Sequence, residues 1–188
     1  MKRVVIISGS KRVGNTKAIA DIYANAFLSA GFEVDLVSLS EHSFAYCNGC
    51  LICDETNECV IKDGFENIID SLRRSDLIIF GTPTRWRLMS GELKTFLDRL
   101  NPYAAIEGYT GLKAFVYAVG QSDESAIESI NAAIESVCTF AEDAGIEILG
   151  KQPFCNLYAE NDYVEFEKDI VDICENNVAM LCDKLIEE

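Results

Sequence analysis

The chain has 188 residues, 49% of them hydrophobic, and no Pro/Gly/Ser tract that could link two units, so a single domain over residues 1–188 is expected. A formal charge of −15 disfavours a nucleic-acid binder, because a phosphate backbone selects for basic surface. The apolar run at residues 4–7 breaks at Ser8-Gly9-Ser10, too short for a signal core or a membrane span, so a cytoplasmic protein without membrane attachment is expected.

Residues 2–8 are centred on the continuous Val/Ile run at 4–7, the pattern of a strand buried on both faces. Residues 15–30 place Ile19, Ile22, Tyr23, Ala26 and Phe27 at helical spacing, with Gly31 as the stop. Phe32, Val34 and Leu36 alternate along a second strand at 32–39, and a cysteine-rich loop follows at about 40–62. Phe65, Ile68, Ile69 and Leu72 mark a helix over 63–74. A third strand is expected at 76–81, running into Gly81-Thr82-Pro83, and a short helix at 91–100. A fourth strand at 112–119, a helix at 124–144, a short fifth strand at 146–149 and a long amphipathic helix at 163–186 complete the order. Strands alternating with helices of this length imply right-handed crossovers and an α/β fold with a parallel sheet covered on both faces. Five strands with a ligand loop after the first suggest the flavodoxin-like three-layer arrangement, strand order 2-1-3-4-5.

Charge is uneven along the chain. Residues 1–17 carry Lys2, Arg3, Lys11, Arg12 and Lys17 and no acid, whereas residues 160–188 hold ten acidic residues against Lys168 and Lys184. The acidic tail reads as a solvated helix face. The basic stretch coincides with Gly9-Ser10-Lys11-Arg12-Val13-Gly14-Asn15-Thr16, between the first strand and the first helix. Glycines let the backbone turn its N–H groups inward, and the helix end adds favourable potential, so this loop suits a phosphate. Gly9 and Gly14 have the separation of a Walker loop, but Asn15 stands where its lysine would be, which argues for a terminal monophosphate rather than ATP. The glycines do not match the dinucleotide fingerprint.

Cys47, Cys50 and Cys53 are two residues apart, and Cys59 follows after five. Such dense spacing signals a [4Fe-4S] cluster; tetrahedral zinc and free or reversibly oxidised thiols are the alternatives. Cys138, Cys155, Cys174 and Cys182 are scattered and read as small buried hydrophobes. His42, the single histidine, reads as an exposed loop residue, and no hydrolytic constellation accompanies it. Asp98 and Arg99 read as a structural ion pair or helix end, and no side chain is assigned a catalytic role.

The string at residues 9–16, the segment IFGTPTRWRLMSGELKTFLDRL at residues 79–100 and the cysteine array together resemble the flavodoxin-like NAD(P)H-dependent FMN reductases, in particular their iron-sulfur flavoprotein branch. The resemblance implies FMN, with its phosphate over Ser10, Arg12, Asn15 and Thr16. It also implies Pro83, Thr84, Arg85 and Trp86 near the isoalloxazine ring, Gly120 and Gln121 closing the site, and a cluster on Cys47, Cys50, Cys53 and Cys59. Arg85-Trp86-Arg87 departs from the family's aromatic-then-glycine pattern. An arginine near the flavin's N1/C2 edge stabilises the negative charge of the reduced ring, with Arg85 the first candidate and Arg87 the second. Trp86 stacks on the ring, roofs the site, or serves ordinary subunit or core packing.

The expected activity is FMN-dependent oxidoreduction or electron transfer, with NAD(P)H or reduced ferredoxin as donor and a quinone, oxygen species or carrier protein as acceptor. A cluster-free NAD(P)H:quinone or flavin reductase, an electron carrier without turnover of its own, and a zinc-stabilised structural protein are the rival readings. A homodimer or larger homo-oligomer is implied by the resemblance.

Overall fold

The computed structural model describes residues 2–104, 108–121, 123–158 and 168–186. Five strands, β1 (Arg3–Ser8), β2 (Glu33–Ser38), β3 (Leu77–Pro83), β4 (Lys113–Val119) and β5 (Glu147–Phe154), form one sheet in the order β2-β1-β3-β4-β5. Every neighbouring pair is parallel. The helices in chain order are α1 (Asn15–Ser29), α2 (Ile52–Thr56), α3 (Phe65–Leu72), α4 (Gly91–Asp98), α5 (Asn101–Ala104), α6 (Ile127–Asp143) and α7 (Lys168–Ile186). The expected architecture and strand order are both present.

Strand alternation divides the core in two, because successive side chains leave a strand on opposite faces. Val5, Ile7, Ile78, Phe80, Ala114, Val116 and Ala118 point to one face, where they meet Leu72 of α3, Phe96 of α4 and Ile130, Ile134 and Val137 of α6. Val4, Ile6, Leu77, Ile79, Phe115 and Tyr117 point to the other, against Tyr23 and Phe27 of α1 and Cys174, Val178 and Leu181 of α7. Residues of β1, β3 and β4 are buried on both faces, which is why those segments read as unbroken apolar runs.

Several boundaries differ from expectation. The fifth strand runs to Phe154 rather than ending at 149. Gly150 and Pro153 look like terminators in sequence, but β5 is an edge strand, where a missing N–H is tolerated, and the sheet absorbs the irregularity as a register shift between Ala114 and Phe115. The helix expected from 124 begins as a single 3₁₀ turn, Glu124–Ala126. Of the helix expected at 163–186, residues 163–167 lie outside the described ones. Cys138 and Cys174 are buried as expected, whereas Cys155 and Cys182 are half-exposed. Among the described residues, no helix is long and apolar enough to cross a membrane.

Candidate functional site

The loops that leave the C-terminal ends of β1, β3 and β4 meet at one edge of the sheet, on either side of the point where the strand order reverses. Their junction is locked by polar contacts. Gly9 N–H donates to Gly81 O at 2.7 Å, the Ser90 hydroxyl donates to Gly9 O, and Ser90 N–H donates to Thr82 Oγ1 at 2.9 Å. Ser90 also caps α4 by accepting from Leu93 N–H at 3.0 Å. Gly9 is required by this close approach, since a Cβ there would lie 2.6 Å from Gly81 O and 2.9 Å from Leu93 Cβ.

Between these loops lies a cleft of about 640 Å³. All ten residues expected to bind a cofactor line it: Ser10, Arg12, Asn15, Thr16, Pro83, Thr84, Arg85, Trp86, Gly120 and Gln121. Gly14 of the anion loop and Arg87, the second arginine candidate, line it too, whereas sequence reading missed Val119, Ser129 and Leu157. Leu157 arrives through tertiary contacts alone, because Asn15 Nδ2 donates to its carbonyl at 2.9 Å and its own N–H donates to Gly120 O at 3.1 Å.

The floor of the cleft is prepared for an anion. Gly14 caps α1 with no side chain, and no acidic residue stands in its first turn, so the positive end of the helix dipole is uncompensated. Ser10 folds the loop, its hydroxyl donating to Arg12 O at 2.9 Å and accepting from Arg12 N–H at 3.3 Å. The Arg12 guanidinium then lies over Gly14. Beneath the loop the buried Tyr117 hydroxyl donates to Thr16 O at 2.7 Å. In a chain of charge −15, three arginines and no acid are among the described lining residues.

The opposite wall is a tight hairpin. Arg85 and Leu88 exchange two backbone hydrogen bonds of 2.9 Å, and the residues between them, Trp86 and Arg87, take left-handed φ values of 50° and 65°. The turn lifts the indole of Trp86 into solvent at 98% exposure, which rules out core packing for it. Pro83 and Thr84 are held below, Thr84 N–H donating to Val119 O at 2.8 Å. Two buried oxygens of the cleft residues, Asn15 Oδ1 and Thr84 Oγ1, have no partner among the described residues. Asn15 Oδ1 only accepts, so it suits a hydroxyl; Thr84 Oγ1 serves as donor or acceptor. A phosphate at the uncapped helix, a hydroxyl chain past Asn15 and an aromatic ring beside Pro83 and Thr84 fit these groups and this volume.

The cysteine segment stands on the same edge of the sheet, and Lys11 Nζ from the anion loop donates to His42 O at 2.9 Å. His42 is half-buried, its ring stacked on Phe44. Cys47, Cys50, Cys53 and Cys59 all line one small hollow of about 30 Å³, around α2. Their donor chemistry suits a soft metal or an iron-sulfur group. The side chains are not drawn to ligating distance, for among the described residues no group of three or more Cys, His, Asp or Glu is placed to hold a metal ion. Burial and then the neighbouring Asp54 raise the Cys53 thiol above its ordinary value. Asp98 pairs with Lys94, and Arg99 with Asp63, so both are structural, although not with each other.

The sequence model of the NADPH-dependent FMN reductase family matches residues 2–140. An iron-sulfur flavoprotein of Archaeoglobus fulgidus is 32% identical over 130 residues, 67% of this chain and 59% of that protein. An iron-sulfur flavoprotein of Methanocaldococcus jannaschii is 35% identical over 101 residues, 53% of this chain and 52% of that one. The aligned regions thus span little more than half the length of these relatives. Among solved structures, an NADH:FMN oxidoreductase in its apo form superposes with a TM-score of 0.72 at 18% identity, covering 100% of this chain and 92% of that one. A flavodoxin from the Archaea gives 0.63 at 15% identity, covering 98% and 99%. At such identities the structural likeness speaks for the fold.

Proposed function

The chain belongs to the NADPH-dependent FMN reductase family, and on that premise we propose that it is an FMN-dependent oxidoreductase drawing electrons from NAD(P)H, with a [4Fe-4S] cluster on Cys47, Cys50, Cys53 and Cys59. One observation carries the flavin part: ten residues from three separate loops line a single cleft whose floor is an uncapped, acid-free helix start. The cluster part is supported by the spacing of the four thiols, their shared hollow and the names of the relatives.

Bound FMN would supply the chemistry, taking two electrons as hydride and releasing them singly. The protein's part is to hold and tune it. Backbone N–H groups at the start of α1, with Ser10, Thr16 and Arg12, bind the phosphate. Asn15 Oδ1 would accept a hydrogen bond from the ribityl chain, and Thr84 Oγ1 would offer the ring a donor or acceptor. Pro83, Val119 and Leu157 give the apolar wall, and Arg85 places positive charge where electron density rises on reduction. The exposed rim at Trp86 leaves the ring open to a nicotinamide donor and to acceptors such as a quinone or ferredoxin.

A cluster-free NAD(P)H:quinone or flavin reductase is the second reading, favoured by the separation of the thiols from ligating geometry. Anaerobic purification followed by a visible spectrum, iron and sulfide assay, and NADPH oxidation tests both. Flavin absorbance with four irons and four sulfides per chain is expected. Flavin and NADPH turnover without iron would select the second reading, and colourless, inactive protein would overturn both.

A further inference from the structure

The only buried cation near the cysteine array, among the described residues lining its hollow, is Arg99, whose side chain has 0% exposure. Taking a guanidinium out of water costs several kcal/mol unless its donors are satisfied, and the partners found here are informative. Nη1 donates to Ala45 O and to Asp63 Oδ2, both at 2.8 Å; Nη2 donates to Asp63 Oδ1 at 2.9 Å and to Ile61 O at 3.3 Å. Asp63 also accepts from Ala45 N–H at 2.9 Å, and the guanidinium lies 4.9 Å over the ring of Phe65. Ala45 stands two residues before the first cysteine of the array and Ile61 two residues after the last. One side chain on the residue capping α4 therefore ties both ends of the loop together.

The same side chain lines the hollow shared by the four cysteines, and its buried Nε–H has no hydrogen-bond partner among the described residues. Residues 40–62 carry Glu41, Asp54, Glu55 and Glu58 against Lys62, which pairs with Glu58. Four thiolates, alone or around iron, add further negative charge to an acidic segment. A fixed cation at this point has an evident electrostatic use.

We propose that Arg99 is the positioning residue of the cysteine array, closing the loop that bears Cys47, Cys50, Cys53 and Cys59 and setting a positive charge beside the metal group they hold. The inference rests on reading the array as a metal site. Net charge and hydrogen bonds to sulfur are among the terms that set a cluster's potential, so the residue acts on potential as well as on loop closure.

The test compares the full chain with R99K, R99Q and D63N, using FMN uptake as the check of folding. In metal-free protein, Cys53 and Cys59 of R99Q should be alkylated about tenfold faster than in wild type, the effect of losing ~1.4 kcal/mol of loop closure. In anaerobically purified protein, R99Q should hold less iron. At a fixed applied potential the iron it retains should show about a tenfold lower reduced-to-oxidised ratio, ~59 mV for a one-electron couple. R99K keeps the charge but loses the fork, so it should restore the potential and leave the thiols exposed. Alkylation and potential unchanged in R99Q would overturn the proposal. If R99Q no longer takes up FMN, D63N carries the alkylation comparison, with faster modification expected and an unchanged rate contradicting it. Wild-type protein that binds FMN yet holds no metal would overturn the reading of the array and the charge role with it, and the alkylation rates would then decide the clamp alone.

Discussion

Arg12 and Asn15 stand three residues apart at the start of α1 but offer opposite chemistry, an exposed charged donor and a buried neutral acceptor. Arg12 is exposed and folds over the helix start, whereas Asn15 is 6% exposed and tethered to Leu157. On the proposed function, Arg12 would supply the charged contact to the phosphate, beside Ser10, Thr16 and the backbone N–H groups. Replacing Arg12 with alanine should weaken FMN binding about tenfold, since a charge-assisted hydrogen bond contributes ~1.5–3 kcal/mol and exposure reduces it. Riboflavin, which lacks the phosphate, should bind the variant and the parent alike in a fluorescence-quenching titration. At the other wall Arg85 Nη1 donates to Thr84 O at 3.2 Å, and the proposed function would set its remaining guanidinium donors beside a bound flavin. Arg85→Gln should lower the flavin midpoint potential by about 30 mV, a tenfold change in a two-electron equilibrium, as read by dye-coupled redox titration.

At the scale of elements, the site depends on how closely β1, β3 and α4 approach. A methyl at position 9 would press on a backbone carbonyl and on Leu93, neither of which has room to withdraw. Gly9→Ala should destabilise the apoprotein by ~1–3 kcal/mol, which is about 5 °C in Tm for a chain of this size, measurable by calorimetry. The cysteine loop depends instead on an ion pair. Hydrogen bonds from Arg99 hold the Asp63 carboxyl at about 2, below its ordinary value of 3.8, against some desolvation. Its stabilisation is thus complete above about pH 5 and is lost as pH falls through about 2, worth ~1–2 kcal/mol after solvent screening. Amide hydrogen exchange followed at each pH across that window, corrected for intrinsic rates, should show the loop losing protection as pH falls, and D63N should remove the step.

For the molecule as a whole, an acidic protein concentrates three arginines and a helix start at one cleft, so the local potential opposes the net charge. The lining of the cleft was largely legible in the sequence because its residues sit on loops next to strands with clear apolar runs: Ser10 to Thr16 follow β1, Pro83 to Trp86 close β3, and Gly120 and Gln121 follow β4. Leu157 and Ser129 were not legible, since nothing in their neighbourhood marks them and only tertiary contacts bring them to the cleft. The end of β5 was missed for a related reason: Gly150 and Pro153 break an interior strand but not an edge. Arg99 read correctly as structural, yet its partner, Asp63, lies thirty-six residues away and could be found only by folding the chain. The account turns on a phosphate held at the start of α1, and parallel titrations of apoprotein with FMN and riboflavin, at low and high salt, test it most directly. One FMN per chain is predicted, bound at least about tenfold more tightly than riboflavin, with the gap narrowing as salt screens the arginines. Equal affinity for the two flavins, or no flavin uptake by folded protein, would contradict it.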